Sequence, residues 1–547
     1  MALSRQTQAF ITSSAHPQQS QCVKASQPMV RFTRQSLQLY PASLATMWLL
    51  LVPLAVVYAW RKIAAIRQAA RSVGDIPGYR TLISRGSLLS SLIPKTPGLS
   101  LGTTWTFDDK YSVYADNGYD ILTLVSAFPC KPEIVLADAA AIKEVITYRS
   151  RFPKPVDLYA VLSFFGYNIV ASEGEEWKRY RKITAPTFTE RNNKLVWNET
   201  VAIMNDLFDN VWENQQVVTI DHILDITLPA TLFIISAAGF GQKLTWKGGS
   251  IVPPHHKMTF KDALYTTATY IIPKLLLPNW AMKLTEKTRR IKLGFAELRT
   301  FMAEMIEDRM KSDKVGRDDL LSSLLDASNE GEGLSTDELI GHETTAHTLC
   351  FTLALLALYP AEQEKLYQHI KSVLPDAYAP TYEQFPLLTR VMAVFNETLR
   401  MFPAVVIIPK RSAEDTTLST TSTRGERVVV PIPKGTDVHI NVPGLHYNPK
   451  YWENPYEFKP DRFLNDDWNR DAFIPFSAGP RACLGRRFAE TEAVAFLTML
   501  VSRYKITVKE EPRFANETFE QRKERLLKVV SILTLTPVKM PLTFTRR

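Results

Sequence analysis

The segment from Phe476 to Ala489 reads FSAGPRACLGRRFA and sets Phe476, Gly479, Arg481, Cys483 and Gly485 in the spacing F-x-x-G-x-R-x-C-x-G. At average residue usage this coincidence arises in on the order of one in several thousand chains of such length. A lone cysteine is usually a small core residue. Here the cysteine sits between two glycines, two residues after an arginine, just ahead of a helix that the pattern starts near Gly485. The partial positive charge and unpaired amides of a helix N-terminus favour a thiolate over a thiol. Gly479 and Gly485 permit positive φ and close approach of the backbone to a flat partner, and Phe476 is placed to shield the sulfur from water. The remaining cysteines, Cys22, Cys130 and Cys350, lie far off and form no C-x-x-C pair, so neither a disulfide framework nor a zinc cluster is suggested. Cys483 is therefore the candidate metal ligand.

The chain around this loop reads as mostly α with a small β portion. Leu298, Phe301, Met302, Met305 and Ile306 recur at the spacing of one helix face, as do Ala493, Phe496, Leu497, Leu500 and Val501. Strand patterns are fewer: Arg427 to Pro431 ahead of the turn Pro433-Lys434-Gly435, and the stretch Ser531 to Phe544. A 547-residue chain with 45% hydrophobic and 22% charged residues buries a core large enough to enclose a cofactor. The net charge of +9 is spread along the chain without a nucleic-acid motif and suits an acidic protein partner or anionic lipid.

Residues 40–60 form an uncharged run close to the roughly 20 residues a helix needs to cross a bilayer, with Pro53 inside and Tyr40, Tyr58 and Trp60 near the ends. This predicts a single transmembrane anchor. Arg61, Lys62, Arg67 and Arg71 after the run outnumber Arg31 and Arg34 before it, which leaves the C-terminal bulk in the cytosol. Residues 1–39, rich in Ser and Gln and lacking Asp and Glu, read as a disordered extension in preference to a transit peptide. Pro77 and Gly78 mark a linker over 61–80, and 81–547 is the catalytic domain.

The cysteine loop resembles the haem-binding signature of the cytochrome P450 superfamily, in its membrane-anchored, fungal-like form. Other motifs agree from about Pro77 onward. Glu397 to Arg400 forms E-x-x-R, which alone is usually a pair of solvated charges; Pro460-Asp461-Arg462-Phe463 matches the P-x-R-F that supplies a third partner in similar proteins. The resemblance gives Glu397, Arg400 and Arg462 a structural role beneath haem b, whose iron Cys483 holds. Arg481 is assigned to a haem propionate. Trp177 and Arg181 match W-x-x-x-R and face a propionate, with Lys410 or Arg411 as a further propionate contact. Thiolate ligation directs electron density toward O–O cleavage. Lys178, Arg179 and Lys182 join a proximal face where similar proteins dock NADPH–cytochrome P450 reductase, with cytochrome b5 as a second donor.

Gly341-His342-Glu343-Thr344-Thr345 resembles the family's oxygen-activating element, in which Glu343 and Thr344 manage protons. The chain departs from the family just upstream. Ser335 and Glu338 form a capping box only six residues before Gly341, whereas similar proteins place about ten mainly apolar residues between these features. Their loss shortens the helix by about 15 Å. An incorrectly joined reading frame explains this first, and a remodelled pocket second.

The expected activity is insertion of one oxygen atom into a lipophilic substrate at the endoplasmic reticulum membrane, with a mitochondrial location second. The span Val156 to Val170, with Phe164, Phe165 and Tyr167, falls where similar proteins place a substrate-contacting loop, and Ile271 to Leu284, with Ile272, Leu275, Leu276, Leu277 and Trp280, can dip into a membrane. Two alternatives remain: a non-catalytic haem-binding membrane protein, favoured by the shortened helix, and a haem-thiolate isomerase or dehydratase.

Overall fold

The computed structural model describes residues 42–87, 90, 92–159, 168–248, 252–311, 319–327, 337–375, 379–422, 424–531 and 533–547. Residues 1–39, Tyr40, Phe164, Phe165, Tyr167 and Ser335, all named above, lie outside them, as do the side chains of Ile272, Leu275, Leu276 and Glu338. The chain divides into two units, Met1–Trp60 and Arg61–Arg547. The first contains the start of helix α1 (Ala42–Ser72), on which Leu51, Val52, Leu54, Val56, Val57, Tyr58 and Trp60 are exposed. Among the described residues no single helix is long and apolar enough to cross a membrane.

The second unit is mostly helical with small sheets. Past Arg61 the helix runs on to Ser72, Val73 and Ile76 are buried, and Gly78 opens strand β1 (Gly78–Ile83). β1 pairs in parallel with β2 (Ile121–Phe128), which turns back against β3 (Pro132–Leu136). With β5 (Ile407–Arg411) and β8 (Asp437–Asn441) these make one sheet in the order β1-β2-β3-β8-β5. β4 (Val217–Ile220), β12 (Leu542–Arg546) and β9 (Tyr504–Val508) form a second; β6 (Thr416–Thr421) with β7 (Arg427–Ile432), and β10 (Val529–Ser531) with β11 (Leu535–Pro537), are hairpins.

The longer helices that frame the site are α2 (Ala139–Thr147), α3 (Gly174–Thr184), α4 (Glu190–Asp206), α5 (Leu224–Phe240), α6 (Phe260–Thr269), α7 (Glu286–Lys311), α8 (Leu320–Ala327), α9 (Asp337–Leu358), α10 (Pro360–Val373), α11 (Thr389–Met401) and α12 (Arg486–Arg503). α5 and α9 are apolar around most of their circumference, and that composition puts them inside: they pack on each other, and α9 also meets α11, α12 and both β9 and β11. Leu349, Phe351, Leu353, Leu355 and Leu356 of α9 are essentially inaccessible to water, each contributing on the order of 1.5–3 kcal/mol. α12 presents Ala493, Phe496, Leu497, Leu500 and Val501 to the same core. The helix carrying Glu343 is described from Asp337 to Leu358.

Candidate active site

Two positive-φ residues, Ser477 (59°) and Gly479 (64°), bend the chain after Ile474. A Cβ at Gly479 would come within 2.9 Å of Ile146 Cγ2 on α2, so glycine is required there by conformation and by space. The Cys483 amide donates to Phe476 O (2.9 Å) and the Ala482 amide to Gly479 O (3.0 Å), closing the loop. Cys483 is exposed and lies three residues before α12 begins. Gly485 differs from the expectation of positive φ: its φ is −80°, in the N-cap position of α12. A Cβ there would meet no protein atom within 4 Å, so the protein fold itself does not demand glycine. Phe476 is half-buried, with the Arg486 guanidinium 5.6 Å from its ring centroid.

Beside the loop, Arg481 Nη2 contacts Glu173 Oε2 (2.6 Å) and donates to Ser172 O (3.0 Å), while its guanidinium lies 4.0 Å from the centroid of buried Trp177. Its Nε is buried without a hydrogen-bond acceptor among the described residues. Arg181 on α3 turns to the loop instead, donating to Ala482 O at 2.8 Å. Lys410 and Arg411, neighbours on β5, point to opposite faces as strand geometry requires. Arg411 is held by Asp157 (2.9 and 3.1 Å) and Asp437 (2.6 Å). Lys410 is 4% exposed, and burial followed by repulsion from Arg481 pushes its ammonium down to about 8, against the attraction of Glu173. Arg481 and Lys410 are therefore two crowded cations with one carboxylate between them.

Glu397 and Arg400 are fully buried on α11 and joined by two bonds, Nε–Oε2 at 2.7 Å and Nη2–Oε1 at 2.9 Å. Arg462 Nε adds a third at 3.1 Å and the Lys459 amide a fourth at 2.9 Å. Arg400 Nη1 also donates to His446 O and Pro455 O. Sequence reasoning missed His446, which ends the one-turn helix Val442–His446. Its Nδ1 lies 3.1 Å from Arg400 O, and its Nε2 accepts from the Ile474 amide at 3.1 Å. Only a proton on Nδ1 satisfies both contacts, so this imidazole is neutral, and burial pushes it down to about 3.

On α9, Glu343 is raised to about 7 by burial, though its side chain keeps 19% of its exposure. Thr344 lies next to it, its carbonyl accepting from the Thr348 hydroxyl at 2.8 Å. His347, one turn on, brings Nε2 to 3.9 Å from Glu343 Oε1 and Nδ1 to 3.3 Å from Thr534 Oγ1 in the β10–β11 hairpin. His347 and Thr534 were missed as well. The i, i+4 spacing of Glu343 and His347 was a usable signal; nothing local marks Thr534. Of Ile271 to Leu284, Ile271 and Met282 are buried, whereas Leu277, Trp280 and Leu284 are exposed.

The cytochrome P450 family model matches residues 108–529, spanning both the cysteine loop and α9. The chain belongs to the cytochrome P450 family. It is 50% identical over 514 residues to cytochrome P450 monooxygenase 124 of Postia placenta, covering 91% of this chain and 99% of the relative. Cytochrome P450 monooxygenase ORF6 of Penicillium roqueforti is 30% identical over 470 residues, 74% of this chain and 79% of the relative. Among solved structures the crystal structure of the cytochrome P450DA heme domain superposes with a TM-score of 0.66 at 24% identity, covering 86% of this chain and 98% of that one, which shows the fold. The chain is an oxidoreductase of the cytochrome P450 monooxygenases, whose cofactor is haem b.

The residues of this P450 fit that group. A haem carries two propionates, and Arg481 and Lys410, two buried cations sharing the single carboxylate of Glu173, would hold them; the buried Arg481 Nε lacks an acceptor among the described residues. Cys483 would supply the thiolate, and a Gly485 Cβ would meet no atom of the described residues within 4 Å, which leaves the backbone there open to close approach by a flat group.

Proposed function

We propose that this P450 inserts one atom of dioxygen into a C–H or C=C bond of a lipophilic substrate, with NADPH as electron source and water as second product. The observation that carries this reading is the Cys483 loop, closed on Phe476 O at the start of α12, beside the Arg481 and Lys410 pair. Bound haem supplies dioxygen activation and the oxygen-transfer chemistry. The chain's own residues do the rest: Cys483 is the iron ligand, Arg481 and Lys410 with Trp177 and Arg181 hold the macrocycle, and the Glu397–Arg400–Arg462 lock keeps the loop beneath it. Glu343, poised near neutrality, holds or releases a proton beside the Thr344 hydroxyl.

Electrons come from NADPH–cytochrome P450 reductase, with cytochrome b5 as an accessory donor. Exposed Lys178, Arg179 and Lys182 on α3 and Arg486 and Arg487 on α12 favour an acidic protein face. The exposed apolar run of α1 and the cations from Arg61 to Arg71 support a single-pass anchor in the endoplasmic reticulum with the catalytic domain cytosolic. Exposed Leu277, Trp280 and Leu284 support uptake of substrate from the bilayer.

A second reading rests on the sequence ahead of His342, where Glu338-Leu339-Ile340-Gly341 runs straight into it without the ten or so apolar residues expected of similar proteins. A chain so shortened binds haem without turning over. The absorption difference spectrum of the reduced chain with carbon monoxide, alongside Cys483→Ala, tests thiolate ligation. A strongly red-shifted band lost in Cys483→Ala supports it, and a band unchanged by that substitution overturns it. Reductase-dependent, substrate-stimulated NADPH oxidation then separates the two readings, and restoring about ten apolar residues ahead of His342 recovers turnover if the shortening is the cause.

A further inference from the structure

His347 is a buried imidazole with a polar group opposite each ring nitrogen. It is 2% exposed on α9, with one ring nitrogen turned to a carboxyl on its own helix and the other to a hydroxyl from a distant hairpin. The hairpin is anchored where it must be for this contact, because the Leu535 amide donates to Ala404 O just after α11. Thr534 is itself 5% exposed, so neither partner has bulk water to turn to.

Resting on the monooxygenase reading, we propose that His347, with its tautomer held by Thr534, is the positioning residue that sets when Glu343 carries a proton. The chemistry is that of a neutral imidazole, which donates from one nitrogen and accepts at the other. An N–H directed at the carboxyl belongs on Nε2, which leaves Nδ1 as acceptor and calls for a donor opposite it. The Thr534 hydroxyl is that donor. The ring stays neutral because burial pushes its imidazolium down to about 3, and His342 on α9 and His222 ahead of α5 act in the same direction. His222 accepts the Met540 amide through Nδ1 and faces Asp225. No cation therefore faces Glu343 from His347. What it receives is a neutral donor one helical turn away, at a distance that a small side-chain rotation or one water closes. A hydrogen bond to the charged form favours that form, so His347 draws Glu343 down from where burial alone would leave it.

The test uses the full-length, haem-loaded chain and reads Glu343 directly. Infrared difference spectra across pH follow the protonated carboxyl band, assigned by its loss in Glu343→Gln. His347→Leu raises the midpoint by about one pH unit, His347→Gln restores it through its amide donor, and Thr534→Val gives a smaller rise. The carbon monoxide difference spectrum of each variant verifies that the fold and haem are intact. A midpoint unmoved in His347→Leu, or a shift that His347→Gln does not reverse, overturns the proposal. A midpoint that moves as stated in a chain that never oxidises NADPH with substrate overturns the monooxygenase reading and leaves the His347 assignment standing.

Discussion

Glu397 and Glu343 are both carboxyls withdrawn from water, and the fold treats them in opposite ways. Glu397, fully buried on α11 in a network that reaches Ile474 ahead of the cysteine loop through His446, accepts from Arg400 twice, from Arg462 and from the Lys459 amide. Glu343 on α9 has the neutral His347 at 3.9 Å and is driven toward its uncharged form. The first arrangement fixes a geometry, since removing any donor strands a charge in a low-dielectric interior. The second keeps a proton exchangeable near neutral pH, which a fully satisfied carboxylate cannot offer. The lock and the labile carboxyl therefore differ in kind: one fixes a geometry, the other leaves a proton free to move.

The largest expected effect breaks the lock. Arg400→Met leaves Glu397 buried without its bidentate partner and removes the donors to His446 O and Pro455 O, a loss of about 3–5 kcal/mol. Denaturant unfolding measures it, and a loss below about 1 kcal/mol would show that the network does not bear on stability. Arg462→Lys keeps the charge but not the fork geometry and costs less.

The second prediction concerns Glu343 and has a definite sign. Its folded value of about 7 lies above its ordinary 4.5, so the folded chain holds this proton more tightly than the unfolded chain does. The resulting stability is fully present below about pH 4.5 and is lost as pH rises through about 7. Glu343→Gln abolishes that loss. The variant matches the parent at low pH and exceeds it at pH 8 by on the order of 1–2 kcal/mol, after discounting for partial exposure. Unfolding free energies at the two pH values decide it; equal differences at both would place Glu343 in a polar, hydrated setting.

How much of this was legible in the sequence follows the range of each interaction. Glu397 and Arg400 share one helix face at i, i+3, so their pairing can be read locally, and Arg462 follows through the P-x-R-F match. The choice between Lys410 and Arg411 could not be read: adjacent strand residues face opposite sides, and which side meets Arg481 depends on how β5 lies against β8. His446 and Thr534 were invisible because their roles arise from contacts with residues 46 and 187 positions away. The apolar stretches 230–240 of α5 and 345–356 of α9 showed no one-sided periodicity, since each is buried all round.

The two glycines of the cysteine loop sharpen the comparison at the smallest scale, because the protein fold requires glycine at one and not at the other. Gly479→Ala forces a side chain into φ +64° and against Ile146 Cγ2, and lowers stability by about 1–3 kcal/mol. Gly485→Ala meets neither obstacle at φ −80° with no protein atom within reach, so stability changes by less than about 0.5 kcal/mol. Its methyl group instead enters the space beside Cys483, and the haem-to-protein ratio after purification falls. Thermal unfolding of the haem-free chain and pyridine haemochrome content separate the two effects. If Gly485→Ala retains full haem and Gly479→Ala retains full stability, backbone freedom is not what either glycine contributes, and the close approach of the loop to the macrocycle is excluded.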